Sequence, residues 1–163
     1  MTPQQFTVEM AFDWDTEPDP GQSDRLLENT LMHMNSDQFG VAASYAQLRV
    51  GQQLLFPVYD NSENTSSVGT VTDFALQIVD AHTGNSVVPF SSTPVFGGQM
   101  TMGTGGTSQI YGSNLPYTYP FGGSYFTLNR QGRYLVTMTL TVQKGSETRT
   151  FSVDPEWIVG KGG

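Results

Sequence analysis

The sequence predicts an all-β protein, an antiparallel β-sandwich of jelly-roll or Greek-key type with little helix, on three observations. Apolar and polar residues alternate with period two over residues 6–12, 74–78 and 134–142, the pattern of half-buried strands. Clusters of Gly, Asn, Ser, Thr and Pro separate the apolar runs at short intervals, as they do between strands rather than helices. Helix-period amphipathicity is almost absent and no internal repeat is visible. A length of 163 residues fits one domain spanning 1–163, long enough to bury roughly two-thirds of the surface its unfolded chain would expose.

"QQFTVEMAFDW" opens the chain with Phe6, Val8, Met10 and Phe12 on one side of a strand. "DTEPDPGQSDRLLENTLMHMNSDQFG" follows, acidic at its start and broken by Pro18, Pro20 and Gly21, and is expected to be a long loop with one helical turn around Arg25 to Thr30. "YAQLRVGQQLLFPVYD" reads as a strand pair turning at Gly51, and "NSENTSSVGT" as a polar turn. Phe74, Leu76 and Ile78 share one face of the next strand; Thr83-Gly84-Asn85 then turns the chain toward Val87 and Val88, in the manner of a hairpin.

From Ser91 to Gly123 the composition shifts to Gly, Ser, Thr, Pro and Tyr. So long a structureless stretch is unusual inside a compact domain, so short strands are expected around Met100 to Met102 and Ser108 to Tyr111. Tyr134, Val136, Met138, Leu140 and Val142 then alternate strictly with polar partners, and "QKGSET" turns the chain into a last strand, "RTFSVDPEWIV". Pro155 cannot donate a ladder hydrogen bond, so that last strand is an edge, a bulge, or two pieces bent at the proline. Phe151 and Val153 are expected inward, with Trp157 and Val159 resuming the packing beyond Asp154 and Pro155.

Charge and composition exclude several functions. A net charge of −8, with seven scattered Lys and Arg, argues against nucleic acid, which needs clustered cations, and against an anionic membrane surface. No apolar run of about 18 residues and no basic leader with an apolar core is present, although a chain stripped of a signal peptide and secreted would read the same. The lack of cysteine removes disulfides, thiolate catalysis and Cys-ligated zinc, and is compatible with the cytoplasm. Charged residues make up only 13% of the chain, about half the usual share, as in β-proteins that assemble or bind sugars.

Three short pieces carry a family resemblance. "QGRYLVTMTLTV", a polar turn and "SVDPEWIVG" resemble the C-terminal pattern of the AidA/PixA inclusion-body proteins, where a Tyr-led strand precedes an Asp-Pro ending. "FTVEMAFDWDTE" is similar to that family's opening strand, and "LRVGQQLLF" stands where its Val-Gly-Asp strand begins. The sequence departs from the pattern at Gln52, usually acidic, at Phe56 and Pro57, usually Trp-Arg, and at Val153, usually aromatic. The resemblance implies a cytoplasmic, self-associating homo-oligomer that accumulates at high concentration and has no enzymatic activity.

Three constellations carry alternatives. Asp13, Asp15, Glu17 and Asp19 alternate in "DWDTEPD" and offer oxygen ligands to calcium, although the Gly and bidentate Glu of a full calcium loop are missing; a solvated acidic loop is the plainer account. Met32, His33, Met34, Met100 and Met102 are soft ligands for Cu(I), but on a strand Met32 and Met34 point opposite to His33, and Met also fills cores. "IYGSN" with "GRYLVTMTL" is similar to periplasmic iron-uptake proteins that bind copper, with Ile110 in place of their His. Tyr111, Asn114, Tyr117, Tyr119 and Tyr125 lie in a Gly/Pro-rich segment that offers apolar faces with polar tips, as a lectin-like carbohydrate-binding module or a partner surface requires; tyrosines covering the end of a sandwich would look the same. Two histidines and no nucleophile elbow, zinc-protease motif or phosphate loop leave no catalytic residues to name and no required cofactor.

Overall fold

The computed structural model describes residues 4–12, 14, 24–25, 30–35, 40–42, 45–60, 62, 68–110 and 113–162. All regular structure among these residues is strand: β1 (Gln5–Phe12), β2 (Asp24–Arg25), β3 (Thr30–Asn35), β4 (Gly40–Ala42), β5 (Tyr45–Arg49), β6 (Gln53–Leu55), β7 (Val58–Asp60), β8 (Thr70–Asp80), β9 (Met100–Thr101), β10 (Gly106–Ile110), β11 (Ser113–Thr118), β12 (Phe126–Thr127), β13 (Gly132–Lys144), β14 (Glu147–Val153) and β15 (Glu156–Gly160). They form two sheets. One has the order β10-β11-β7-β1-β3-β4, with β6 also on β1 and β12 on β6. The other has the order β2-β14-β13-β15-β5, with β8 along the other side of β13 and β9 beside β8.

The protein is all-β as expected, but the sheets are mixed rather than purely antiparallel. β1 runs parallel to β6 and β7, β2 to β14, and β5 to β15. The turn at Gly51 explains two of these pairings. β5 and β6 are consecutive and were expected to pair with each other; instead the turn carries the chain from one sheet to the other, and each strand joins a partner distant in sequence. Gly51 takes φ 98°, which glycine adopts without steric cost, and its N–H donates to Leu128 O at 2.8 Å.

The helical turn expected at Arg25 to Thr30 is not what its ends adopt. Arg25 lies in β2 opposite Phe151, and Thr30 opens β3 opposite Phe12. The residues between these two ends lie outside the described residues. The glycine-rich segment holds β9 and β10 where short strands were expected. It also holds β11, which Pro116 disguises; Pro116 lies just outside the stretch of β11 that pairs with β7. Of the expected hairpin at Val87 and Val88 there is only a bridge between Val79 and Ser86.

One apolar core joins the sheets. Phe6, Val8, Met10 and Phe12 of β1 share it with Phe74, Ile78, Val136, Met138, Leu140, Val142, Phe151, Val153, Trp157 and Val159. The rings of Phe12 and Phe151 lie 5.2 Å apart across the two sheets. On β8 the face changes by a device: Thr72 is an extra residue in the ladder with β13, a bulge. That single residue lets both Val71 and the even-numbered Phe74 and Ile78 face inward. β1 is buried on both faces, Glu9 and Ala11 included, because Ala11, Tyr59, Leu115 and Tyr117 form a second apolar cluster away from the main core.

β13 is closed differently at its two ends. At the Gly132 end the Tyr134 hydroxyl donates to the carbonyls of Arg130 and Gln131 (3.1 and 2.9 Å), the local closure of a tyrosine corner. Tyr134 folds so closely over Gly132 that a Cβ there would lie 2.8 Å from the hydroxyl. At the other end Lys144 Nζ lies 3.3 Å from Asp60 Oδ2 with both side chains buried. Asp60 Oδ1 accepts from Ser62 N, and Ser62 Oγ from Trp14 N. Arg149 donates to Trp14 O, and Lys144 and Arg149 both lie over the Trp14 ring.

Candidate functional site

The C-terminal motif is built into the core. β14 and β15 pair successively with β13, Met138 opposite Val153 and Leu135 opposite Glu156, so the register runs through Asp154 and Pro155 unbroken. Pro155 interrupts hydrogen bonding, not register: it has no N–H to give, yet its carbonyl accepts from Val136 N at 2.9 Å. Phe151, Val153, Pro155, Trp157 and Val159 therefore all face the same way, and all are buried, while Asp154 is exposed. Trp157 is wholly buried, stacked on Phe56 at 6.3 Å and edge-on to Phe90 at 6.3 Å. Its Nε1 has no hydrogen-bond acceptor among the described residues.

The tyrosines are partly gathered. Tyr59, Tyr117 and Tyr119 form a row with ring centroids 5.3 Å apart at each step. Burial, then a hydrogen bond to Tyr117 and the nearby Tyr117 and Tyr125 hydroxyls, raise the Tyr119 pKa. Gly105 permits the row, since a Cβ there would lie 2.5 Å from the Tyr117 ring. These rings spend much of their surface on one another. Asn114 is exposed on β11, and Tyr111 lies outside the described residues. Tyr59 belongs to the row without a signal in the glycine-rich segment; only the pairing of β7 with β11 brings it there.

The metal candidates are dispersed or undescribed. Asp13, Asp15, Glu17 and Asp19 lie outside the described residues. The β1–β3 register sets Met32 opposite Met10, Met34 opposite Val8 and His33 opposite Glu9. Met102 is buried in the core, and Met100 accepts from Thr118 Oγ1 through sulfur at 3.4 Å. Among the described residues no three His, Asp or Glu side chains cluster as a metal site, and no helix is long and apolar enough to cross a membrane.

A cleft of about 640 Å³ lies where the start of β1 meets β5 and the end of β15. Gln4, Gln47, Arg49, Gln52, Ile158 and Lys161 line it over a floor that includes Phe6. Gln52 organises its rim: its Oε1 accepts from Arg49 N at 2.8 Å and its Nε2 donates to Gln4 Oε1 at 2.7 Å. Sequence patterns missed this site, because its residues come from both ends and the middle of the chain. The scarcity of cations was the available signal. Four of the seven are ion-paired, Arg130 with Asp80, Arg133 with Glu156, Lys144 with Asp60 and Arg149 with Glu147, whereas Arg49 and Lys161 have no carboxylate partner among the described residues.

No protein-family model matches the sequence, and no curated protein matches it. Among solved structures the chain is similar to the inclusion body protein PixA from Burkholderia cenocepacia J2315, with 9% identity and a TM-score of 0.47, over 98% of this chain and 97% of that one.

Proposed function

We propose that this chain is a non-enzymatic β-sandwich protein that self-associates and accumulates in the cytoplasm as inclusion-body proteins do. The observation that carries the reading is the outer edge of β8. On that side β9 pairs with Thr70 and Val71, and Ile78 O and Asp80 N bond to Val87 and Asn85. Among the described residues no strand pairs there between Thr72 and Gln77. Such an edge presents backbone donors and acceptors in a row and is a template for another chain. Two copies paired antiparallel about Ala75 would set Asp73 opposite Gln77 and Phe74 opposite Leu76, so no like charges would meet. Ala75 is exposed and small, which allows close approach. The acidic monomer is repelled from its copies at −8, so assembly through this edge should tighten as the pH falls toward the pI near 4.4.

Sizing of the untagged protein by light scattering over a wide concentration range tests this. The expected result is a mass that rises with concentration and falls back in Ala75→Lys, which places two cations face to face at the seam. A strictly monomeric mass at every concentration and pH would overturn it.

A further inference from the structure

We propose that the outer face of the sheet built on β13 is a second self-association surface, and that it takes the same face of another copy of this chain. The proposal rests on the self-association reading and names a surface distinct from the β8 edge: it stacks sheet on sheet, where that edge pairs strand with strand. The side chains of Tyr134, Val136, Met138, Leu140 and Val142 lie in the core, so Leu135, Thr137, Thr139, Thr141 and Gln143 face away from it. None of these five is charged, and Leu135 is half exposed. Across the ladders Thr139 meets Ala75 and Ser152, and Thr141 meets Thr150. In a chain of net charge −8 this uncharged strip is where a second copy can come close against the general repulsion, and the cores of protein interfaces are depleted of charge in the same way.

The side chains suit a dry contact. Ala75 and Ser152 beside Thr139 are small, which lets two sheets approach to the usual stacking distance of about 10 Å. Thr139 Oγ1 and Ser152 Oγ share a hydrogen bond at 3.3 Å, so neither hydroxyl is orphaned when water leaves the face.

The flanking charges choose the orientation. Asp73 stands opposite Thr141 and Glu156 opposite Leu135, and the unbroken register puts Asp154 opposite Thr137. Two copies stacked with β13 antiparallel about Thr139 set Asp73 against Gln77, Asp154 against Thr150 and Glu156 against Thr148 of the other copy, so no carboxylates meet. β13 is 13 residues long; at about 3.4 Å per residue, with a neighbouring strand about 4.8 Å to either side, the face covers about 600 Å². Over both copies that is about 1,200 Å², the low end of stable interfaces. A contact of this size fills at high protein concentration. Like the β8 seam it is isologous, but about a different axis, so one copy can engage a different partner through each and assembly does not stop at a dimer.

The test uses the full chain. Thr139→Lys sets two cations against each other at the centre of the contact while bringing the net charge one unit nearer zero, so weaker assembly would run against the change in overall charge. Circular dichroism and melting temperature check that the fold is kept. The variant should need about tenfold more protein, or more, to reach half-assembly, the loss expected when like charges are forced together in an interface. A second measurement does not depend on that variant. The chain has no cysteine, so Thr139→Cys supplies a single thiol, and a bifunctional maleimide spanning about 10 Å should join two copies through it. Asn114→Cys, exposed on β11 of the other sheet, should stay uncoupled under the same conditions. Assembly of Thr139→Lys equal to wild type, or coupling no faster at position 139 than at position 114, overturns the stacked face and leaves self-association through β8 standing. A wild type that is monomeric at every concentration overturns both.

Discussion

The two ends of β13 are closed by different physics. At the Gly132 end the buried closing contacts are local or apolar: Tyr134 bonds to carbonyls three and four residues earlier, and beside it Trp157 packs on Phe56 and Phe90, while the ion pairs there, Arg133 with Glu156 and Arg130 with Asp80, use exposed arginines. At the Lys144 end the contacts are charged and long-range: Lys144 meets Asp60, and Arg149 meets the Trp14 carbonyl across 135 residues. The first end gains from apolar burial, which needs only the right shape. The second depends on each charge finding its counterpart, because a buried ion left alone costs more than the pair contributes. The two ends should therefore fail in different ways.

The largest effect belongs to the apolar end. Trp157→Ala is expected to lower stability by about 3–5 kcal/mol, the range for a large buried aromatic, read by urea denaturation. A variant with unchanged stability but abolished assembly would make Trp157 a partner anchor instead of a core residue. At the charged end Lys144→Ala should cost about 3 kcal/mol, because Asp60 is left buried and unpaired. Pairing Lys144→Met with Asp60→Leu should recover most of that loss in the same measurement. Recovery by neither, or no loss in the single variant, would erase the distinction between the two ends.

The smallest effect is a pH response, and it sits at the apolar end. Asp80 accepts from His82 N and Thr83 N and faces Arg130 at 3.7 Å; the backbone bond from His82 does most to hold its pKa below the ordinary value. With the folded pKa lowered, its contribution is present above the unfolded value and is lost as the pH falls through the folded one. Wild type should thus lose more of its melting temperature than Asp80→Asn between about pH 6 and pH 3, the range in which carboxylates titrate. Tyr134 gives the opposite sign. Burial raises its pKa, so its contribution holds below the ordinary phenol range and is lost as the pH rises through the folded value.

Legibility divides along the same line. The alternation of Tyr134 to Val142 and the proline-broken last strand could be read directly, because one face of each is buried and the period of two survives in the residue types. β1 was legible as a strand but not as one covered on both faces; Glu9 at 5% exposure contradicts a simple inside-outside pattern, and Ala11 joins Tyr59 and Leu115 in a second cluster that only the sheet pairing assembles. β3 was hidden because "TLMHMN" lacks polar alternation, and β11 because Pro116 reads as a turn. Of the candidate sites, the Asp154 to Trp157 motif was visible as a structural element, whereas the cleft was not, since Gln4, Arg49 and Lys161 are far apart along the chain.

The sequence by itself determined that the chain is built of strands, where its glycine turns lie, and which face of each regular strand is apolar, because these follow from local backbone preference and a period of two. Only the tertiary structure decided which strands are neighbours. The turn at Gly51 could join two paired strands or carry the chain between sheets, and local residues permit both. The choice rests on the burial of Leu48 and Leu54 in the common core and on ladders to β15 and β1 formed by residues distant in sequence. That same choice sends the chain at Arg49 past the end of β15, and so brings Arg49 and Lys161, which have no carboxylate partner among the described residues, into one cleft.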